Sequence, residues 1–172
     1  NDAPSISSTA VTAVDEDAAY SYSITTSDDD SDSSDSWTIT STSVSWLTMT
    51  HTAGASTATL AGTPANGDVG SHSVTVTVAD AAGLTDTETF TIVVANTNDA
   101  PTISSTAVTA ATEDAAYSYT TTASDVDSGD TITLACTTVP SWLTCTAGAL
   151  SGTPTNDEVG SHSVVITASD VA

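Results

Sequence analysis

The sequence contains no lysine and no arginine, so nothing covalently attached balances its 22 Asp and Glu residues. The resulting net charge of −22 excludes binding to nucleic acid or to an acidic membrane surface. Neutralising phosphate requires cations that this chain lacks. Its carboxylates must stay hydrated, keep apart, or be neutralised by cations from solution. Aromatic residues make up only 5% of the chain, a composition that with this charge would suit a disordered segment. The apolar residues are patterned rather than diluted, which argues for a fold. No long apolar run is present, so direct membrane insertion is not expected. There is no signal peptide and no initiating Met, as expected of a mature chain or a slice of a longer one. No Gly-x-Ser-x-Gly, His-Glu-x-x-His or phosphate-binding loop occurs, and no segment supplies a pocket that would raise a carboxyl pKa. An enzyme is not expected.

What the chain does contain is a repeat. Asn1-Asp2-Ala3-Pro4 returns as Asn98-Asp99-Ala100-Pro101, and Glu16-Asp17 returns as Glu113-Asp114. Tyr20 and Tyr22 return as Tyr117 and Tyr119, and Trp46-Leu47-Thr48 as Trp142-Leu143-Thr144. Gly62-Thr63-Pro64 returns from Gly152, and the run Val69 to Val74 returns from Val159 to Val164. The offset shrinks along the chain, which places an extra loop near His51 to Ala58 of the first repeat. Self-similarity at this period marks an array, here of two domains with boundaries at 1–97 and 98–172.

Within each repeat the apolar residues alternate with polar ones. Tyr20, Tyr22 and Ile24 alternate with Ser21 and Ser23; Val74, Val76 and Val78 alternate with Thr75 and Thr77. Phe90, Ile92 and Val94 share one face of a last strand. Such alternation predicts antiparallel sheets with one packed and one wet face. No stretch carries helical periodicity. The second repeat stops at the position matching Ala82, so it lacks the counterpart of Gly83 to Val94. Two explanations stand open: the natural chain continues, which is favoured because arrays are commonly cut, or a neighbouring molecule donates the strand.

The ordered motifs Val139-Pro140-Ser141-Trp142-Leu143-Thr144, Gly148 to Pro154 and Val159 to Val164, followed by Ala168-Ser169-Asp170, resemble the dystroglycan-type cadherin-like repeat. That family is also described as an immunoglobulin-like domain of bacterial surface proteins. The resemblance implies an all-β chain of two tandem seven-stranded immunoglobulin/cadherin-like β-sandwiches, the second lacking its last strand. It further implies a secreted or cell-surface setting, neighbouring repeats as partners, and calcium between them. The cadherin Leu-Asp-Arg-Glu motif is absent, and Asn98 stands where an Asp is usual. One or two ions per junction are expected rather than three.

Acid-rich loops fit that expectation. Asp125-Val126-Asp127-Ser128-Gly129-Asp130 is an Asp-x-Asp segment with a Gly that permits a tight turn; its counterpart begins at Asp28. Calcium takes six to eight oxygens, and alternate residues of a loop can aim two carboxylates at one point. Solvated turns account for such segments equally well taken alone. In a cadherin-like arrangement Glu16, Asn96, Asn98 and Asp99 would act together with Asp125, Asp127 and Asp170. Asp2, Asp28, Asp30 and Asp80 would serve a junction with a preceding domain.

The remaining residues have simpler readings. Trp46, Trp142 and Trp37 are expected in the core rather than stacked on sugars, His72 and His162 as packed corner residues, and His51 in solvent. Cys136 and Cys145, matched to Thr40 and Met49, are expected to form a disulfide in an oxidising compartment, with buried thiols as the alternative. Together these features point to a spacer or fibre-forming repeat of an adhesin-like bacterial surface protein. A filament completed by strand donation and a carbohydrate- or protein-binding module are the alternatives.

Overall fold

A computed structural model describes residues 2–29, 37–42 and 44–171. The chain forms two compact units, Asn1–Thr97 and Asn98–Ala172. Both are built from strands, as cadherin- and immunoglobulin-like sandwiches are.

The first unit contains β1 (Ser5–Ile6), β2 (Ala13–Asp15), β3 (Tyr20–Ser27), β4 (Thr38–Ser41), β5 (Leu47–His51), β6 (Thr57–Gly62), β7 (Gly70–Ala79) and β8 (Thr85–Ala95). One sheet has the order β1-β3-β6-β5 and the other β2-β8-β7-β4. The segment before β3 is divided between the sheets: β1 pairs antiparallel with β3, and β2 pairs parallel with β8 in the opposite sheet. Tyr20 secures the crossing, since its hydroxyl donates to the Val11 carbonyl at 2.8 Å. Burial, then Tyr22 and Glu88, push the Tyr20 pKa up to about 12, so the donor keeps its proton.

The alternation places its apolar residues where it should. Tyr20, Tyr22 and Ile24 of β3, Leu60 of β6, and Val74, Val76 and Val78 of β7 are all buried. Each such aliphatic side chain contributes roughly 1.5–3 kcal/mol by leaving water. That burial is what fixes the register, because a one-residue slip would turn every one of them outward.

The second unit contains β9 (Thr102–Ile103), β10 (Tyr117–Thr120), β11 (Ala123–Ser124), β12 (Thr133–Thr138), β13 (Leu143–Thr146), β14 (Ala149–Gly152) and β15 (Val165–Ser169). They pair as β10-β14-β13, β11-β9 and β12-β15. The β13–β14 hairpin turns on Ala147 and Gly148, both at positive φ (47° and 77°), the backbone that a two-residue hairpin requires. The first unit spends residues 52–56 on the same connection, which is the expected extra loop. His51 is not in solvent: it is half-buried, and its Nε2 meets the Ala55 carbonyl at 3.0 Å, closing that loop.

The repeated Gly-Thr-Pro motif has a steric cause. A Cβ on Gly62 would fall on the Trp46 carbonyl oxygen, and one on Gly152 on that of Trp142. The prolines that follow present their carbonyls to Asp17 and Asp114, whose N–H groups donate at 2.8 Å. Both aspartates stand at positive φ (58° and 57°), a backbone that Asp tolerates better than most residues. Gly62→Ala should therefore cost the first unit about 1–3 kcal/mol in urea unfolding. Gly67→Ala, where a Cβ meets open space, should cost far less. Equal effects would show that the Trp46 contact does not constrain the site.

Candidate metal centre

In the second unit the first residues after the connector run past the loop that follows β11. The Asp99 N–H donates to Asp127 Oδ2 at 2.6 Å, and Asp127 is only 5% exposed. The Asp127 N–H in turn donates to Asp125 Oδ1 at 3.0 Å, a bond made possible by the i, i+2 spacing. Gly129, at φ +103°, folds the loop back so that the Asp130 N–H approaches the Asp127 carbonyl. Asp170, directly after β15, arrives from the opposite sheet strand. Asn98 Nδ2 lies 3.4 Å from each of its carboxylate oxygens.

Asp125, Asp130 and Asp170 each present a carboxylate oxygen within 4.8 Å of the others. Oxygens 2.3–2.6 Å from one calcium ion stand at most about 5 Å apart, so this separation fits a shared ion. Asp125 Oδ2 is buried and accepts no hydrogen bond. A charged oxygen in that state is costly unless a cation offsets it. The donor set consists of carboxylate oxygens, which suits a hard cation and not zinc. Asp130 was absent from the expected ligands, although it lies in the same acidic segment. Only the Gly129 turn brings it round.

The other expected ligands belong to the first unit or the connector. Glu16 follows β2, is 2% exposed, and takes the Thr97 N–H on Oε1 at 2.7 Å. Its Oε2 is buried without a hydrogen-bond partner. Glu16 thus lies where the first unit hands the chain to the connector. Asn96 is exposed on that segment, and Asp2 is exposed near the other end of the unit. Asp28 is half-buried just after β3, and Asp30 lies outside the described residues. Asp80 closes the β7–β8 turn, its Oδ1 accepting the Leu84 N–H at 2.8 Å. It is engaged in its own hairpin, whereas its counterpart Asp170 joins the acidic group.

Crowding has a titration signature. Burial first, then Asp127, Asp125 and Asp170, raise the Asp130 pKa above the ordinary aspartate value. A carboxyl raised in the folded state contributes stability that is complete below its unfolded pKa and lost as pH rises through the folded one. In chelator, Asp130 should therefore contribute a rise in the melting temperature of the second unit from pH 7 to pH 4, opposed by Glu158, whose pKa is lowered by its hydrogen bonds from Thr155. Asp130→Asn should flatten that rise, and calcium should abolish it. An Asp130→Asn variant with the same pH dependence as the parent would contradict this reading.

The sulfurs of Cys136 (β12) and Cys145 (β13) are joined in a disulfide, with Cα atoms 6.3 Å apart. It links the β12–β15 pair to the β10-β14-β13 sheet. Cys136 stands opposite Ile166, the place held by Ser41 opposite Val76 in the first unit. The sequence match to Thr40 is therefore one residue out, because the connection after β11 differs in length. Trp46 and Trp142 are edge-packed between Tyr20 and His72 and between Tyr117 and His162. Each His Nε2 meets a backbone carbonyl, of Asp68 or Glu158, at 2.6 Å. Both tryptophans are half-buried, as is His72, whereas His162 is exposed.

The family described as "Putative Ig domain" matches the chain twice, over residues 3–95 and 100–172. No curated protein matches the chain. The human desmocollin-1 ectodomain is similar in structure, with TM-score 0.59 and 14% identity, over 97% of this chain and 38% of its own. Protocadherin gammaB7 gives 0.56 and 18%, over 99% of this chain and 46% of its own. An endo-fucoidan hydrolase from glycoside hydrolase family 107 is 26% identical with TM-score 0.45, and the chain spans 28% of it. The two cadherin ectodomains share the fold, and the chain spans less than half of each. No helix among the described residues is long and apolar enough to cross a membrane.

Proposed function

The chain belongs to the Putative Ig domain family, and on that premise we propose that it is a calcium-stiffened spacer of a large, adhesin-like bacterial surface protein. It acts outside the cell, without catalysis, and its partners are neighbouring repeats. The observation that carries the reading is the gathering of Asp125, Asp130 and Asp170 around a buried oxygen that accepts no hydrogen bond. Asn98 and Asp99, which touch that loop, are the first residues beyond the connector. Glu16 holds Thr97, on the connector.

The mechanism follows from charge. Without a cation, carboxylates on either side of a short connector repel, and the connector is a hinge. Calcium supplies the positive charge that the sequence lacks: Asp125, Asp130 and Asp170 hold it, and Asn98 and Asp99 tie that loop to the start of the second unit. The hinge then becomes a fixed joint. Isothermal titration should detect calcium binding in the 10⁻⁴–10⁻³ M range typical of extracellular modules. Absence of binding at 10 mM calcium, on the order of ten times that range, would remove the basis for the reading.

A further inference from the structure

The three carboxylates of the acidic group reach one place from two layers of the second unit. Asp130 lies just before β12 and Asp170 directly after β15, and these strands pair from Thr133↔Ser169 to Cys136↔Ile166. Asp125 instead follows β11, to which the chain carries on from β10 of the β10-β14-β13 sheet. Any sliding of one layer over the other therefore moves Asp125 against Asp130 and Asp170. Calcium holds its oxygens at about 2.3–2.6 Å, so a displacement of about 1 Å exceeds what the site tolerates.

What fixes the two layers is close at hand. Cys136 of β12 is bonded to Cys145 of β13. Cys145 stands opposite Leu150, and Leu150 opposite Tyr119 of β10, the strand that leads on towards Asp125. Between the disulfide and the acids the layers touch again. A Cβ on Gly148 would stand 2.8 Å from Leu134 Cδ1 and 3.3 Å from Thr121 Cβ. Leu134 of β12 thus lies against the β13–β14 hairpin, and the Gly148 carbonyl accepts the Thr121 N–H at 3.1 Å. Both cysteines of the chain belong to the unit that holds the acidic group.

We propose that the disulfide governs the calcium centre, an inference that rests on the calcium reading above. Oxidised, the bond holds Asp125 in place against Asp130 and Asp170; reduced, it lets the layers shift, and the ion is held weakly. The reductant is a small thiol. Two of its thiol groups supply two electrons and two protons, the Sγ–Sγ bond breaks, Cys136 and Cys145 become thiols, and the reductant leaves as its own disulfide. Both cysteines are half-buried rather than sealed. Coupling of this kind is reciprocal, so the factor by which the disulfide strengthens calcium binding is the factor by which calcium resists reduction. The joint is then firm in oxidising, calcium-rich surroundings and loosens where thiols accumulate.

The test titrates calcium by calorimetry into the oxidised 172-residue chain and into the chain reduced with dithiothreitol, at a temperature where amide exchange shows both folded. Reduction should weaken binding about tenfold, within the usual range of coupling between sites. Cys136→Ser with Cys145→Ser should do the same. Saturating calcium should make the reduction potential of the disulfide more negative by about 30 mV, the same tenfold factor for two electrons. Gly152→Ala sets a Cβ against the Trp142 carbonyl, at the other end of β14, and loosens the unit there. Its oxidised form should bind calcium as the parent does. Equal affinity in the oxidised and reduced chains would overturn the inference and leave the calcium reading standing, whereas no binding in either would overturn both. A loss in Gly152→Ala as large as that on reduction would also overturn the inference. So would a second unit that unfolds on reduction with and without calcium, since the bond would then hold the fold and not the centre.

Discussion

Asp125→Asn is expected to stabilise the calcium-free second unit and, in the same protein, to weaken calcium binding about tenfold or more. The opposite signs follow from one oxygen. Asp125 Oδ2 is buried, accepts no hydrogen bond, and shares a small space with the carboxylates of Asp130 and Asp170. Like charges about 4 Å apart repel by roughly 1 kcal/mol in water and about 4 kcal/mol at an effective dielectric of 20. Asp125 is half-buried, so removing its charge should add about 1–2 kcal/mol, within those bounds. For a unit of this size that is a rise in melting temperature of about 5–15 °C in chelator. The amide still offers an oxygen to the Asp127 N–H, so the loop keeps its turn. Calcium loses a charged ligand and should restore less stability to the variant than to the parent. A variant less stable than the parent in chelator would show that Asp125 is structural and nothing more. Unchanged calcium affinity would remove it from the ion's shell.

Reducing the Cys136–Cys145 disulfide should lower the melting temperature of the second unit by about 10–20 °C and leave the first unit unchanged. The bond closes a short loop, its cysteines nine residues apart in sequence, and the chain-entropy estimate for such a loop is about 2–3 kcal/mol. The effect is large because the second unit has little else to spare. Among the described residues its buried apolar side chains are Leu143 and Leu150, against eleven in the first. The bond also ties the β12–β15 pair to the other sheet, where the first unit relies on packing around Leu60 and Val76. Cys136→Ser with Cys145→Ser should reproduce the loss by calorimetry. Equal losses in both units would contradict the assignment.

The strands were legible because burial on one face writes a two-residue period into the sequence. Tyr20-x-Tyr22-x-Ile24 and Val74-x-Val76-x-Val78 show it plainly, and those residues form the core of the first unit. The divided first strand left no such trace. β1 and β2 have two and three residues, too few to display a period, and the crossing depends on Tyr20 reaching Val11. The acidic residues were legible as a set but not as a geometry. Asp125 and Asp127 announce themselves by spacing, whereas Asp130 joins Asp125 and Asp170 only through the positive-φ turn at Gly129. Asp80 and Asp170 occupy matching positions, yet Asp80 caps a hairpin and Asp170 faces carboxylates. Local sequence cannot separate those fates.

Small-angle scattering of the 172-residue chain, in chelator and across a calcium titration, addresses the stiffening mechanism directly. A narrower spread of interdomain distances and a longer maximum dimension should appear over the same concentrations at which calorimetry detects binding. Curves that superimpose at every calcium concentration would mean that the ion, bound or not, does nothing to the joint.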